Sequence, residues 1–246
     1  MLENYIFGIR PLIEALEKGE RPEKVLIQQG LIGENYQQMF QIIRQEKIPF
    51  QMVPVEKLNR VTRKNHQGVI AFIALISYQP LHQLLPMIYD RGEFPLLVLL
   101  DRVTDVRNLG AIARSAECFG AHGLVIPDKG SAPVNADAIK TSAGALSRIP
   151  VCREGNILET IAFLKESGIR IVAASEKSRE EAFNADLKGP LAVLMGSEDK
   201  GISPSLLRMA DSVVSIPMSG KTASLNVSVA AGIFLYEVHR QRLGPK

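Results

Sequence analysis

Residues 96–126 read LLVLLDRVTDVRNLGAIARSAECFGAHGLVI. Five consecutive apolar residues, 96–100, predict a strand buried on both faces. Residues 109–119 have helical character, and residues 123–126 form a second short apolar run. Strand, helix and strand in this order make a parallel unit, and the pattern continues towards the C-terminus. A helix is expected over 157–167, strands over 169–173 and 191–195, a short helix over 203–209, a strand over 212–216 and a closing helix over 224–242. Strands that alternate with helices imply an α/β fold with a mostly parallel sheet covered on both sides. Ligands of such sheets sit beyond the carboxyl ends of the strands.

Towards the N-terminus, residues 78–95 carry Pro80, Pro86 and Pro95 around one short possible helix, and are expected to link two domains. Before them, residues 1–77 again alternate, with helices over 9–18, 34–46 and 55–61 and strands over 24–28, 50–53 and 69–76. The expected division is a small α/β domain, 1–77, and a larger one, 96–246.

The chain has 246 residues, of which 46% are hydrophobic and 22% charged, a balance that supports a packed core and excludes disorder. Lysine and arginine total 29 against 26 acids, a mild positive charge that permits a nucleic-acid partner. Cys118 and Cys152 are too few and too far apart for a disulfide framework or a zinc motif, so no metal is expected. The N-terminal stretch does not read as a signal peptide, and no apolar run reaches the length of a membrane span. A cytoplasmic protein is expected.

Three loops follow expected strands. In the first, Asn108 is placed to cap a helix that carries Arg114 in its second turn. In the second, Gly196 ends a buried strand and leaves room for a ligand, and Glu198 follows at the sheet edge. The third holds Gly220, Lys221 and Thr222, the tail of a phosphate-binding loop. The glycine that such a loop requires five positions earlier is Ser215, so an NTPase is excluded. No G-x-G-x-x-G follows a strand, which argues against a dinucleotide dehydrogenase. The polar set Ser224, Asn226 and Ser228 exceeds what one helix cap requires.

Together NLGAIAR (108–114), LAVLMGSE (191–198) and residues 216–233, IPMSGKTASLNVSVAAGI, resemble in order and spacing the motifs of the SpoU/TrmH family of SPOUT RNA 2′-O-methyltransferases. The resemblance spans the chain. It implies a trefoil-knotted SPOUT-type C-terminal domain, a small L30e-like N-terminal substrate-binding domain, and a homodimer with composite active sites. It also implies S-adenosyl-L-methionine as methyl donor and RNA as acceptor, with most similarity to members that methylate a guanosine ribose of 23S rRNA. Asn108, Arg114, Glu198, Ser224 and Asn226 match the family's catalytic motif positions. Gly196, Ile216, Met218 and Leu225 match positions at the cofactor. Val106 stands where the family often has proline.

By resemblance Arg114 activates the ribose hydroxyl. Arginine is a poor base, so either its proton affinity is strongly depressed or it binds phosphate while another group takes the proton. Arg60, Arg63, Lys64, Asn65 and His66 form a basic polar cluster suited to RNA phosphate, with His66 a candidate for stacking on a base. His82, His122 and His239 show no ligand spacing and read as structural. A tRNA substrate, or a non-catalytic RNA-binding protein on the same fold, are the competing readings.

Overall fold

Within one strand of the N-terminal part, Val25 and Ile27 turn to one side and Leu26 to the other, and each side finds its own helices. The computed structural model describes residues 5–20, 22–73 and 75–244, and divides into Met1–Leu75 and Ile76–Lys246. The first unit contains β1 (Tyr5–Phe7), α1 (Ile9–Glu17), β2 (Pro22–Gln28), α2 (Glu34–Gln45), β3 (Phe50–Val53), α3 (Val55–Val61) and β4 (Val69–Ile73). Its sheet runs β1-β4-β2-β3, with β2 and β3 parallel and β4 antiparallel to both β1 and β2. Leu12 of α1 and Met39 and Ile43 of α2 cover Val25, Ile27, Val69 and Ala71. Leu58 of α3 covers Leu26, Val53 and Ile70 on the opposite face.

The second unit contains α4 (Leu81–Tyr89), β5 (Leu96–Leu100), α5 (Val106–Cys118), β6 (Gly123–Pro127), α6 (Ala136–Thr141), β7 (Val151–Glu154) and α7 (Ile157–Glu166). It continues with β8 (Arg170–Ala174), β9 (Leu191–Met195), α8 (Pro204–Leu207), β10 (Ser212–Val214) and α9 (Val227–Leu243). The six strands are all parallel, in the order β10-β8-β9-β5-β6-β7. This is the α/β architecture with a parallel sheet that the strand–helix alternation predicts. Leu96, Val98 and Leu100 face the core shared with α5 and α9, while Leu97 and Leu99 face the core shared with α4 and α7. Burying each such side chain is worth about 1.5–3 kcal/mol, so β5 anchors both layers.

From β5 the chain moves outward to β6 and β7, whereas from β9 it moves the other way to β10. The strand order therefore reverses between β5 and β9, and a crevice opens there at the carboxyl edge.

Several boundaries differ from the sequence expectations. Residues 78–95 are not a free linker: Leu81, Leu84, Leu85 and Ile88 of α4 are buried in the core of the second unit. Their i, i+3, i+4, i+7 spacing outweighs the helix-breaking effect of Pro86 within α4. Helix α5 starts at Val106, three residues earlier than expected. The strand expected over 69–76 ends at Ile73, and Ala74 lies outside the described residues. The short elements β1, β7 and α6 carry too little periodicity to be read from sequence. Among the described residues, no helix is long and apolar enough to cross a membrane.

Candidate active site

Three loops at the carboxyl edge of the six-stranded sheet meet on one carboxylate. Glu198, beyond β9, accepts hydrogen bonds at Oε1 from Asn108 Nδ2 at 2.5 Å and from Asn226 Nδ2. Asn226 Nδ2 also lies 3.1 Å from Asn108 Oδ1. Residues 90 and 118 positions apart in the chain are thus joined by side chains alone. Among the described residues, nothing donates to Glu198 Oε2. One carboxylate oxygen is thus left without a protein donor among the described residues.

Each asparagine is held by its own element. Asn226 is the N-cap of α9: its Oδ1 accepts from the backbone N–H of Ser228 at 2.9 Å and from the Ser228 hydroxyl at 2.6 Å. With Oδ1 so engaged, its amide nitrogen must point to Glu198 and Asn108. Asn108 does not cap α5, as its sequence position suggested. Asp105 does, accepting at Oδ1 from the N–H of Arg107 at 2.7 Å and of Asn108 at 3.0 Å. A carboxylate at a helix N-terminus is also favoured by the helix dipole. The Asn108 side chain is thereby released for Glu198.

Beside this polar knot lies a cavity of about 290 Å³. Gly196, Ile216, Met218 and Leu225, the residues expected at a cofactor, all line it, as do Glu198 and Ser224. Gly196 is required there: a Cβ at this position would lie 2.2 Å from the backbone of Gly201. The loop after β9 therefore folds back onto the strand end, closed by Ser197 and Gly201, whose backbones exchange hydrogen bonds of 3.2 and 2.9 Å. Ala174 at the end of β8, residues 175–177 beyond it, and Phe234 of α9 also line the cavity. Sequence reading missed the contribution of β8, although the carboxyl-edge rule applies to that strand too.

Arg114 stands apart from this cluster. It is exposed, and makes no hydrogen bond or ion pair with any described residue. Six positions on a helix place it about 9 Å along the axis from Asn108 and about 120° around it. It shares a side of α5 with exposed Arg107 and Cys118. The neighbouring helix α9 exposes an apolar stripe, Val229, Ile233 and Tyr236, at 50%, 40% and 54% accessibility. The two helices pack closely, with the Phe119 ring 5.9 Å from that of Tyr236.

In the first unit, Arg60, Arg63, Lys64 and Asn65 are exposed, and Lys64 Nζ lies 5.5 Å above the Phe7 ring. His66 departs from the expectation of base stacking. It is 7% exposed, Nδ1 accepts from Gly68 N–H at 3.0 Å, and Nε2 lies 3.0 Å from Asn59 Oδ1. Because Nδ1 accepts, Nε2 carries the proton and donates to Asn59. The ring braces the loop that presents the cations. Among the described residues, no group of three or more His, Cys, Asp or Glu side chains could hold a metal ion.

Residues 95–236 match the family model of the SpoU rRNA methylases, and residues 5–79 match that of RNA 2′-O ribose methyltransferase substrate binding. A Bacillus subtilis protein, YacO, named for the TrmH family of tRNA/rRNA methyltransferases, is 36% identical over 239 residues, 97% of this chain and 96% of its own. The Shewanella oneidensis 23S rRNA (guanosine-2′-O-)-methyltransferase RlmB is 36% identical over 244 residues, 98% of each chain. The SpoU methyltransferase AviRb of Streptomyces viridochromogenes, crystallised with its cofactor AdoMet, superposes with a TM-score of 0.62 at 28% identity, covering 98% of this chain and 91% of that one.

Proposed function

The chain belongs to the SpoU rRNA methylase family, and on that premise we propose that it transfers a methyl group from S-adenosylmethionine to a guanosine ribose 2′-hydroxyl of 23S rRNA. The observation that carries the reading is the convergence of Asn108, Glu198 and Asn226 at the rim of a cavity on the sheet's carboxyl edge. The substrate assignment follows the RlmB relative, which shares the full length of this chain. A tRNA acceptor is the second reading, since the name of the Bacillus relative covers both RNA classes.

The residues at hand suit the donor. Ile216, Met218 and Leu225 supply apolar wall, and Gly196 lets the Gly201 backbone close against the strand end beside it; an apolar wall with a few polar groups is the usual composition of a small-ligand site. The bound donor supplies a sulfonium methyl whose leaving group is a neutral thioether, so no general acid is required. What the protein must supply is alignment and a place for the hydroxyl proton.

In this reading Glu198 Oε2 is the oxygen left free to take that proton, because Oε1 is spent on the two asparagines. Those bonds fix the carboxylate's rotation. Ser224 positions the ribose, and Asn226 acts by holding Glu198. Arg114 grips the phosphate beside the acceptor nucleotide, as its fork geometry favours. It does so from a second copy of the chain. Burial of Val229, Ile233 and Tyr236 against a partner would stabilise such a homodimer, and Arg114 lies on the helix packed beside that stripe. Arg60, Arg63 and Lys64 contact RNA phosphates from the first unit, where His66 is a brace rather than a contact. The enzyme acts in the cytoplasm.

The direct test offers labelled S-adenosylmethionine with unmodified 23S rRNA and with unmodified tRNA, using Arg114→Ala as control. Label recovered as 2′-O-methylguanosine in the rRNA, and lost in the variant, is the expected result. Label in tRNA alone would replace the substrate, and label in neither would remove the enzymatic reading. Mixed dimers of Arg114→Ala with Asn226→Ala chains should regain activity through one intact composite site. Verified heterodimers without recovery would place the whole site in one chain.

A further inference from the structure

At the end of β5 a charged cluster lies outside the cavity yet holds its wall. Asp101 is 6% exposed, and its N–H donates to Met195 O at 2.8 Å, extending the pairing of β5 with β9. Its carboxylate accepts from Arg102 Nε and Nη2, both at 2.9 Å, and from the backbone N–H and hydroxyl of Ser203 at 2.6 and 2.5 Å. Arg102 Nη2 also donates to Gly201 O at 3.1 Å. Neither Asp101, Arg102 nor Ser203 lines the cavity, whereas Gly196 to Ile202 all do.

Consecutive residues of a strand point to opposite faces, so Asp101 and Arg102 would not ordinarily form a two-pronged ion pair. They do so because Arg102 adopts φ +58°, the left-handed region. For a residue with a Cβ this conformation is strained. A glycine would serve the turn without that strain. The arginine side chain therefore accounts for the strain, and its destination is Gly201, the residue that closes the loop carrying Glu198. Ser203 contributes from the other side of the same loop. As the N-cap of α8 its hydroxyl makes no capping bond, and binds Asp101 instead. Burial alone would push the Asp101 carboxyl up, but the bonds from Arg102 and Ser203 outweigh it and hold it below its usual range. The carboxylate is charged at neutral pH, as the bonds require.

We propose that Asp101, Arg102 and Ser203 form a clamp that holds residues 197–202 as one wall of the methyl-donor cavity, making them positioning residues for the transfer. The inference rests on the proposed cofactor site, and its test separates the two.

Arg102→Gly removes the arginine arm of the clamp, the one that reaches Gly201 O, and relieves the left-handed strain together. The melting temperature of this variant should equal or exceed that of wild type. Its affinity for S-adenosylmethionine, measured by calorimetry, should fall at least tenfold, and its KM for RNA should stay within twofold. Amide exchange at residues 198–202 should quicken. Ser203→Ala should weaken cofactor binding severalfold, and Ser203→Thr, which restores the hydroxyl, should recover it. Cofactor affinity within twofold of wild type in Arg102→Gly would overturn the clamp, as would an affinity lost only in step with melting temperature. If the wild-type chain binds no S-adenosylmethionine, the functional reading fails. Exchange then decides alone: unchanged protection at 198–202 in Arg102→Gly would overturn the clamp as well.

Discussion

The two edges of the six-stranded sheet use polar side chains in opposite ways. At the amino edge, Arg242 of α9 donates to the carbonyls of Phe94, Pro95 and Gly189 at 2.9–3.1 Å, just before β5 and β9 begin. His122 there accepts from Leu96 N–H at Nδ1, 3.0 Å away. The Phe94 and Gly189 carbonyls and the Leu96 N–H have these side chains as partners, while Pro95 O also accepts from Leu191 N–H at 3.0 Å. At the cavity rim on the carboxyl edge the bonds run from side chain to side chain, Asn108 and Asn226 to Glu198, and one carboxylate oxygen is left over. An edge that closes its polar groups on its own backbone gives stability. An edge that closes them on each other, beside a cavity, keeps capacity for a ligand.

That contrast can be broken by mutation. The largest effect is expected from Glu198→Gln, which keeps the size and one acceptor but removes the charge. Turnover should fall by about 10²–10³-fold with the melting temperature nearly unchanged. A large loss of stability in this variant would erase the distinction between the edges.

Next comes Arg242→Met. It leaves the Phe94 and Gly189 carbonyls without their donor and takes one of two donors from Pro95 O, and bonds to a charged donor are worth about 1.5–3 kcal/mol each before compensation by water. A net loss of about 2–4 kcal/mol in urea unfolding is expected, with turnover per folded molecule preserved. Lost turnover in fully folded Arg242→Met would show that the amino edge also serves the chemistry.

Acid should sharpen the comparison by a smaller effect. Burial lowers the His122 imidazole from its ordinary 6.5, against the opposing pull of Glu93. A group held neutral by folding contributes stability above its unfolded value and loses it as pH falls through the folded one. Melting temperature should therefore decline as pH drops below about 6.5. His122→Asn, which keeps an acceptor for Leu96 N–H, should flatten that decline. Asp101 at the other edge is held below the usual carboxylate range, so its contribution persists until far more acid pH. An equal slope in wild type and His122→Asn would remove His122 from the account.

The smallest effect belongs to the reassigned cap. Asp105→Ala should cost about 1 kcal/mol of stability, whereas Asn108→Ala should cost little stability and much activity. The reverse pattern would restore Asn108 as the cap. In the first unit, Lys64→Ala should reduce the salt dependence of RNA binding by about one unit of slope.

The parallel sheet was legible because its central strands, such as residues 96–100, are unbroken apolar runs, which burial on both faces demands. The positions of Asn108, Glu198 and Asn226 were legible because each lies in one of three motif stretches that follow a strand. Their bonding was not legible, since it depends on strand order. Asp105 and Asn108 are both competent caps, and only the helix start at Val106 separates them. Residues 78–95 looked like a linker because prolines dominate local propensity, while the burial of Leu81, Leu84, Leu85 and Ile88 is a tertiary effect. His66 looked like a surface residue in a basic run, and its inward turn follows from the Gly68 N–H and Asn59 that receive it.

The central claim is that the carboxyl-edge cavity is the methyl-donor site. The most direct test titrates S-adenosylmethionine calorimetrically into the wild-type chain and into Leu225→Lys, a change at a cavity residue that is already 38% exposed. One saturable site per chain in wild type, abolished in the variant at unchanged melting temperature, is the predicted result. Absence of binding to wild type, or equal binding by both proteins, would contradict the account.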